Sequence, residues 1–128
     1  MSVILVVEDE ANVRKLVTIN LATRGYEVTQ AQTGEQTMAR LRERTPALMV
    51  LDIKLPDFSG WEILRRIDLD PLLSANFPVL VMTASAIDAT LELEEFPSIV
   101  GILIKPFRTE KLISAVHDAL LPSLDSEA

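Results

Sequence analysis

Short segments with strand character alternate with segments of helical spacing, five times over, and that alternation leaves the chain few folds to choose from. Residues 3–7, 47–51, 79–82 and 101–104 are runs of apolar side chains. Runs of this length bounded by turn signals read as strands buried on both faces. Residues 26–31 alternate instead, with Tyr26 and Val28 on one side, which suits a less buried edge strand. Between these segments the apolar period lengthens. Val13, Leu16, Val17, Asn20 and Leu21 fall at helical spacing, and Gly25 sits where a C-terminal cap belongs. Thr33 and Gln36 make a capping-box pattern ahead of Met38 and Leu41, and Pro46 stops that helix. Ser59 and Glu62 repeat the pattern ahead of Ile63, Leu64 and Ile67, with Pro71 as the stop. Residues 87–96 read as a short acidic helix ended by Pro97. Thr109 is placed to cap a last helix whose Leu112, Ile113, Val116, Ala119 and Leu120 share a face. After Pro122 the composition predicts a polar, frayed tail.

This order predicts an α/β fold, with a mostly parallel sheet covered by helices on both faces. At 128 residues one domain is expected, over 1–121, with 122–128 as its tail. Parallel strands deliver their carboxyl ends to one edge, which is where open α/β sheets bind ligands. Four of the five strand segments end in a reactive group: Glu8 and Asp9, then Asp52, then Thr83, then Lys105. Asp52 is the most telling, because an apolar run breaks off abruptly at its carboxylate and a loop punctuated by Pro56 and Gly60 follows.

Three carboxylates gathered at one edge repel. Two unit charges about 4 Å apart cost about 4 kcal/mol at an intermediate effective dielectric. Such a cluster asks for a divalent cation. With no Cys and a single His117, the donors are all oxygen, which favours Mg2+. Lys105 adds an ammonium and Thr83 a hydroxyl. Around Asp52 these groups suit an arriving phosphoryl group, which an aspartate can accept as an acyl phosphate. The net charge is −7, from 12 basic and 19 acidic residues, so nucleic acid and anionic membrane are not expected as direct partners. No apolar run approaches the roughly 18 residues that span a bilayer. The first residues carry no basic leader, and a cytoplasmic protein is expected.

Taken together, Glu8-Asp9, Asp52 with Leu55-Pro56 and Gly60 behind it, Thr83-Ala84 and Lys105-Pro106-Phe107 resemble the receiver domain of two-component response regulators. The likeness covers residues 3 to about 120. It implies a flavodoxin-like sheet of order 2-1-3-4-5. It implies that Asp52 takes a phosphoryl group from a histidine kinase or phosphotransfer protein. Asp9 would ligate Mg2+ directly, Glu8 through water, and Lys54 through its backbone carbonyl. Thr83 would move toward the phosphoryl group, Lys105 would pair with it, and the Lys105–Pro106 bond would be cis. No output domain is legible after Leu121, so the reader is expected to be a downstream protein target or a domain outside this chain.

Two positions depart from the pattern. Ile102 stands where receivers commonly place the aromatic half of a threonine–aromatic switch, and residues 94–98 replace a Gly-Ala turn, so an atypical output surface is expected. Lys54, two residues past the acceptor, is expected at the mouth of the site, where its charge would tune hydrolysis. Two other functions compete. An aspartyl-phosphate phosphatase would need a second aspartate where Lys54 stands. A phosphorylation-independent module on the same fold is opposed by intact Asp52, Thr83 and Lys105 and left open by Ile102. His117, Trp61, the arginines 40, 42 and 44, and the glutamates 92, 94 and 95 are expected to be surface or packing residues.

Overall fold

The computed structural model describes residues 3–73, 77–85 and 95–127, with 122–127 described by backbone path alone. In order the elements are β1 (Val3–Val7), α1 (Ala11–Thr23), β2 (Glu27–Ala31), α2 (Gly34–Glu43), β3 (Leu48–Asp52), α3 (Gly60–Leu69), β4 (Val79–Thr83), β5 (Ile99–Ile104) and a last helix, Thr109–Glu127. The five strands form one sheet of order β2-β1-β3-β4-β5, and every pairing is parallel. The acidic helix expected over 87–96 lies mostly outside the described residues.

Successive residues of a strand point to opposite faces, and the buried strands divide their side chains accordingly. Leu5, Val7, Met49, Leu51, Val79 and Val81 pack with Met38 and Leu41 of α2 and Ile63, Leu64 and Ile67 of α3. Ile4, Val6, Leu48, Val50, Leu80 and Met82 pack with Val17 and Leu21 of α1 and with Leu112, Val116 and Leu120 of the last helix. Two cores on two faces are what a doubly wound sheet requires. Burying one such leucine, isoleucine or valine contributes about 1.5–3 kcal/mol, so the sheet is the rigid frame on which its carboxyl edge is mounted.

Local signals act largely as the residues dictate. The Thr33 hydroxyl accepts from Gln36 N–H at 3.0 Å, and the Ser59 hydroxyl accepts from Glu62 N–H at 3.2 Å. The reciprocal arms differ from a complete capping box: Gln36 Oε1 accepts from Gln32 N–H, and the Glu62 carboxylate pairs with Arg66. Gly25 has φ 91°. Its N–H donates to Ala22 O while that of Tyr26 reaches Leu21 O, which closes α1 with a left-handed glycine cap.

Three boundaries and one burial differ from the sequence reading. Leu16 is 51% exposed, since α1 buries only the narrow stripe of Val17 and Leu21. The last helix begins at Thr109 itself, and the Arg108 carbonyl accepts from Leu112 N–H. That helix runs through Pro122 to Glu127, past the 121/122 boundary. Pro122 has no N–H to donate, so the helix passes it with one backbone hydrogen bond fewer. β5 starts at Ile99, with an irregularity that pairs Val79 with Ile99 and Leu80 with Gly101, leaving Val100 unpaired in the register.

Gly60 fixes the approach of α3 to the acceptor strand. Its N–H donates to Ile53 O at 2.8 Å. A Cβ there would stand 3.0 Å from the Asp52 carbonyl oxygen and 3.0 Å from Ile53 Cα. Backbone yields less readily than a side-chain tip, so Gly60→Ala is expected to cost about 1–3 kcal/mol. Urea unfolding measures this; an unchanged midpoint would show that the loop gives way freely.

Candidate functional site

The strand register builds the site. Val7 lies beside Leu51, Asp52 beside Met82 and Thr83 beside Ile104. Glu8 follows β1, Lys105 follows β5, and Asp52 and Thr83 close their strands, so all four reach one edge. They line a cleft of ≈ 1190 Å³ together with Asp9, Lys54 and Trp61. Its deepest acids sit where the strand order reverses, between β1 and β3, the position at which doubly wound sheets take ligands.

Glu8, Asp52 and Thr83 are buried, and Asp9 and Lys54 are exposed. Lys105 closes the pocket. Its Nζ lies 2.5 Å from Glu8 Oε1 and 3.1 Å from Asp52 Oδ2. The other Asp52 oxygen, Oδ1, accepts from Lys54 N–H at 3.1 Å. Glu8 Oε2 accepts from Glu10 N–H at 3.2 Å. Thr83 lines the cleft, yet its hydroxyl is engaged by Ser85, accepting from Ser85 N–H at 3.1 Å. The Lys105 N–H donates to Thr83 O at 2.8 Å, which ties β5 to β4 beside the pocket. The Lys105–Pro106 bond is cis.

Burial pushes the Glu8 carboxyl up, and the hydrogen bond and negative charge of Asp52 push it further; Lys105 and the Glu10 N–H offset only part, leaving it at about 7. Burial disfavours the Lys105 ammonium, but Glu8 and Asp52 outweigh it and hold Lys105 above the ordinary lysine value. One carboxylate oxygen each from Glu8, Asp9 and Asp52 lies within 4.8 Å of the others. Three carboxyls against one ammonium leave the pocket short of positive charge, and an all-oxygen donor set fits a hard dication.

Several contributors were not legible as site residues. Arg14 of α1 donates from Nη1 to the Glu8 carbonyl at 2.9 Å and from Nε to Gln30 Oε1 at 3.2 Å, bracing the acidic turn against β2. Asp57 reaches across to α2 and accepts from Gly34 N–H at 2.7 Å and Glu35 N–H at 2.9 Å. What burial Asp57 has pushes its carboxyl up, but the N–H groups of Gly34, Glu35 and Phe58 outweigh it and hold it below the ordinary carboxylate value. A depressed acid stabilises the fold above its unfolded pKa, and that contribution is lost as pH falls through the lower folded value. The stability gap between wild type and Asp57→Asn is therefore expected to be small near neutrality, since the exposed carboxylate is screened by solvent. It should shrink in acid, below the ordinary carboxylate range. Chemical denaturation at several pH values measures it; a pH-independent gap would remove the charge from the account.

The residues expected to be bland are so where they are described. His117, Arg40, Arg42 and Arg44 are exposed. Arg44 pairs with Glu27, and Arg40 with Glu43. Glu95 is exposed and pairs with Arg65; glutamates 92 and 94 lie outside the described residues. Trp61 is half-buried and stacks on Phe96, with ring centroids 6.1 Å apart. Ile102 is half-buried against the core on the α2–α3 face. Among the described residues no helix is long and apolar enough to cross a membrane.

Fold and pocket together define a class: a doubly wound α/β domain that gathers acids and one ammonium at the carboxyl edge of its sheet. Residues 4–117 match the response regulator receiver domain, and the chain belongs to that family. Membership carries phosphorylation-based two-component signalling. The phosphate regulon transcriptional regulatory protein PhoB of Pseudomonas aeruginosa is 32% identical over 124 residues, covering 91% of this chain and 51% of its own length. The alkaline phosphatase synthesis transcriptional regulatory protein PhoP of Bacillus subtilis is also 32% identical over 124 residues, covering 91% of this chain and 48% of its own. The chain thus spans about half the length of these relatives. A solved structure of the chemotaxis response regulator CheY4 of Vibrio cholerae superposes with a TM-score of 0.84 at 25% identity, covering 94% of this chain and 99% of that one.

Proposed function

We propose that Asp52 accepts a phosphoryl group from a phosphohistidine donor, a histidine kinase or phosphotransfer protein, in an Mg2+-dependent reaction. The carrying observation is the Asp52 carboxylate buried at the strand end, with Lys105 on one oxygen, the Lys54 N–H on the other, and Glu8 and Asp9 beside it. Glu8, Asp9, Asp52 and the Lys54 carbonyl would hold Mg2+, which when bound neutralises charge on the transferring phosphoryl oxygens. A carboxylate oxygen of Asp52 attacks phosphorus. The P–N bond to the donor imidazole breaks, and its electron pair stays on that nitrogen. Lys105 offsets negative charge gathering at the acceptor. Thr83 must release the Ser85 backbone before its hydroxyl turns to a phosphoryl oxygen.

The reader is a downstream protein or an output domain on a longer chain. Mycobacterial relatives 30% identical to this chain are named DNA-binding response regulators, MtrA, which makes an output domain of that kind one form of reader. Incubation with acetyl phosphate and Mg2+ tests the reading. A single, slowly decaying adduct mapped to Asp52 is expected. Rapid turnover without accumulation would favour a phosphatase, and no adduct a phosphorylation-independent module.

Lys54 supports a further expectation. Its side chain is exposed at the cleft, outside the contacts that hold the acceptor. Lys54→Ala is expected to change the acyl-phosphate lifetime by about two- to tenfold, since a charge at the mouth acts through partly screened electrostatics. Decay of the isolated phosphoprotein measures this, and an unchanged lifetime removes the side chain from hydrolysis.

A further inference from the structure

We infer that Asp57 is a positioning residue for the acceptor site: by clasping the first turn of α2 it fixes the loop whose backbone amide holds Asp52. The inference rests on the phospho-acceptor reading of Asp52.

A helix leaves its first N–H groups without intrahelical partners. In α2 the local cap serves only one of them, since the Thr33 hydroxyl takes Gln36 N–H. The Gly34 and Glu35 N–H groups are instead taken by the two oxygens of Asp57, which lies 23 and 22 residues further along the chain. Asp57 Oδ1 also accepts from Phe58 N–H at 2.9 Å, so the carboxylate bonds its own loop and the helix together. Charged acceptors on N–H groups make the stronger class of hydrogen bond, and an anion at a helix N-terminus gains from the dipole.

A second contact sits beside the first. The Phe58 ring lies over Gly34 so closely that a Cβ there would stand 2.4 Å from its Cε2. The Arg66 guanidinium covers the ring, with Cζ 4.0 Å from its centroid, and is itself held by Glu62. The loop is therefore gripped by α2 on one side and α3 on the other. Its start carries the Lys54 N–H that bonds Asp52 Oδ1, and its end carries the Gly60 N–H that bonds Ile53 O. Asp57 is exposed and bonds none of the reacting atoms, so its effect on Asp52 travels through this loop.

Amide exchange and phosphorylation of the intact chain, carrying Asp57→Ala or Asp57→Asn, test the clasp. With Asp57→Ala, exchange at Lys54 and Gly60 is expected to quicken about tenfold. Acyl-phosphate formation from acetyl phosphate at saturating Mg2+ should slow about tenfold, as loosened positioning does. Asp57→Asn keeps a neutral acceptor and should fall between. Faster exchange confined to Gly34 and Glu35, with phosphorylation at the wild-type rate, would reduce Asp57 to a helix cap and overturn the inference. Should the wild type itself take no phosphoryl group, the acceptor reading falls, and exchange at Lys54 alone decides the clasp: quickened exchange upholds it and unchanged exchange overturns it.

Discussion

Asp52→Asn is expected to abolish the acyl phosphate, taking a near-stoichiometric adduct down by at least about 100-fold, while the fold survives. The amide has the shape of the carboxylate but lacks its charge and nucleophilic oxygen. Its carbonyl can still accept from Lys54 N–H or face Lys105, and Glu8 remains as the second partner of that ammonium. The substitution also removes one of three mutually repelling carboxyls. The urea midpoint in metal-free buffer is therefore expected to hold or rise. Intact-mass measurement after acetyl phosphate treatment reads the first effect, and denaturation the second. An adduct of undiminished yield would move the acceptor elsewhere, with Asp9 and Glu8 as the carboxylates within reach. A collapsed midpoint would instead make Asp52 a structural group.

Much of this arrangement can be read from the chain because parallel strands turn sequence punctuation into proximity. Val3–Val7, Leu48–Asp52 and Val79–Thr83 are buried along their whole length, so their apolar runs announce them. The residues ending such runs must share an edge, and Glu8, Asp52, Thr83 and Lys105 do. The Thr33 and Ser59 caps are local and were legible for the same reason. What escaped depends on packing between distant segments. Leu16 has helical spacing but stands outside the stripe that meets the sheet. The unpaired Val100 is set by how β5 lies along β4. Arg14 and Asp57 look like ordinary surface charges, and only the approach of β2 to α1, and of the acceptor loop to α2, gives them partners. Strand punctuation puts Lys105 on the edge of the acids, but only packing gives its ammonium a direct bond to Glu8, 97 residues earlier.

That last contact sets the second large effect. Lys105→Met is expected to cost about 2–3 kcal/mol in metal-free buffer near pH 8. Removing one partner of a fully buried ion pair costs about 3–5 kcal/mol. Here the Lys105 side chain is 22% exposed while those of Glu8 and Asp52 are 1% and 6% exposed, so the cost falls just below that range. The loss depends on pH through Glu8. Its folded value, about 7, lies above its ordinary 4.5, so the native state binds that proton more tightly than the unfolded chain. The associated stabilisation is complete below the unfolded value and gone above the folded one. Without the ammonium, Glu8 loses a partner that favours its charge, and its folded value rises further. The gap between wild type and variant is therefore expected to widen from about pH 5 to pH 8. Adding Asp52→Asn to Lys105→Met should recover part of the loss, because one of the two stranded carboxylates is then neutral. Contacting residues of one network couple by about 0.5–3 kcal/mol, which a double-mutant cycle resolves. If the two substitutions simply add, Lys105 is not the cation that lets these buried acids coexist, and the electrostatic account of the pocket fails at its centre.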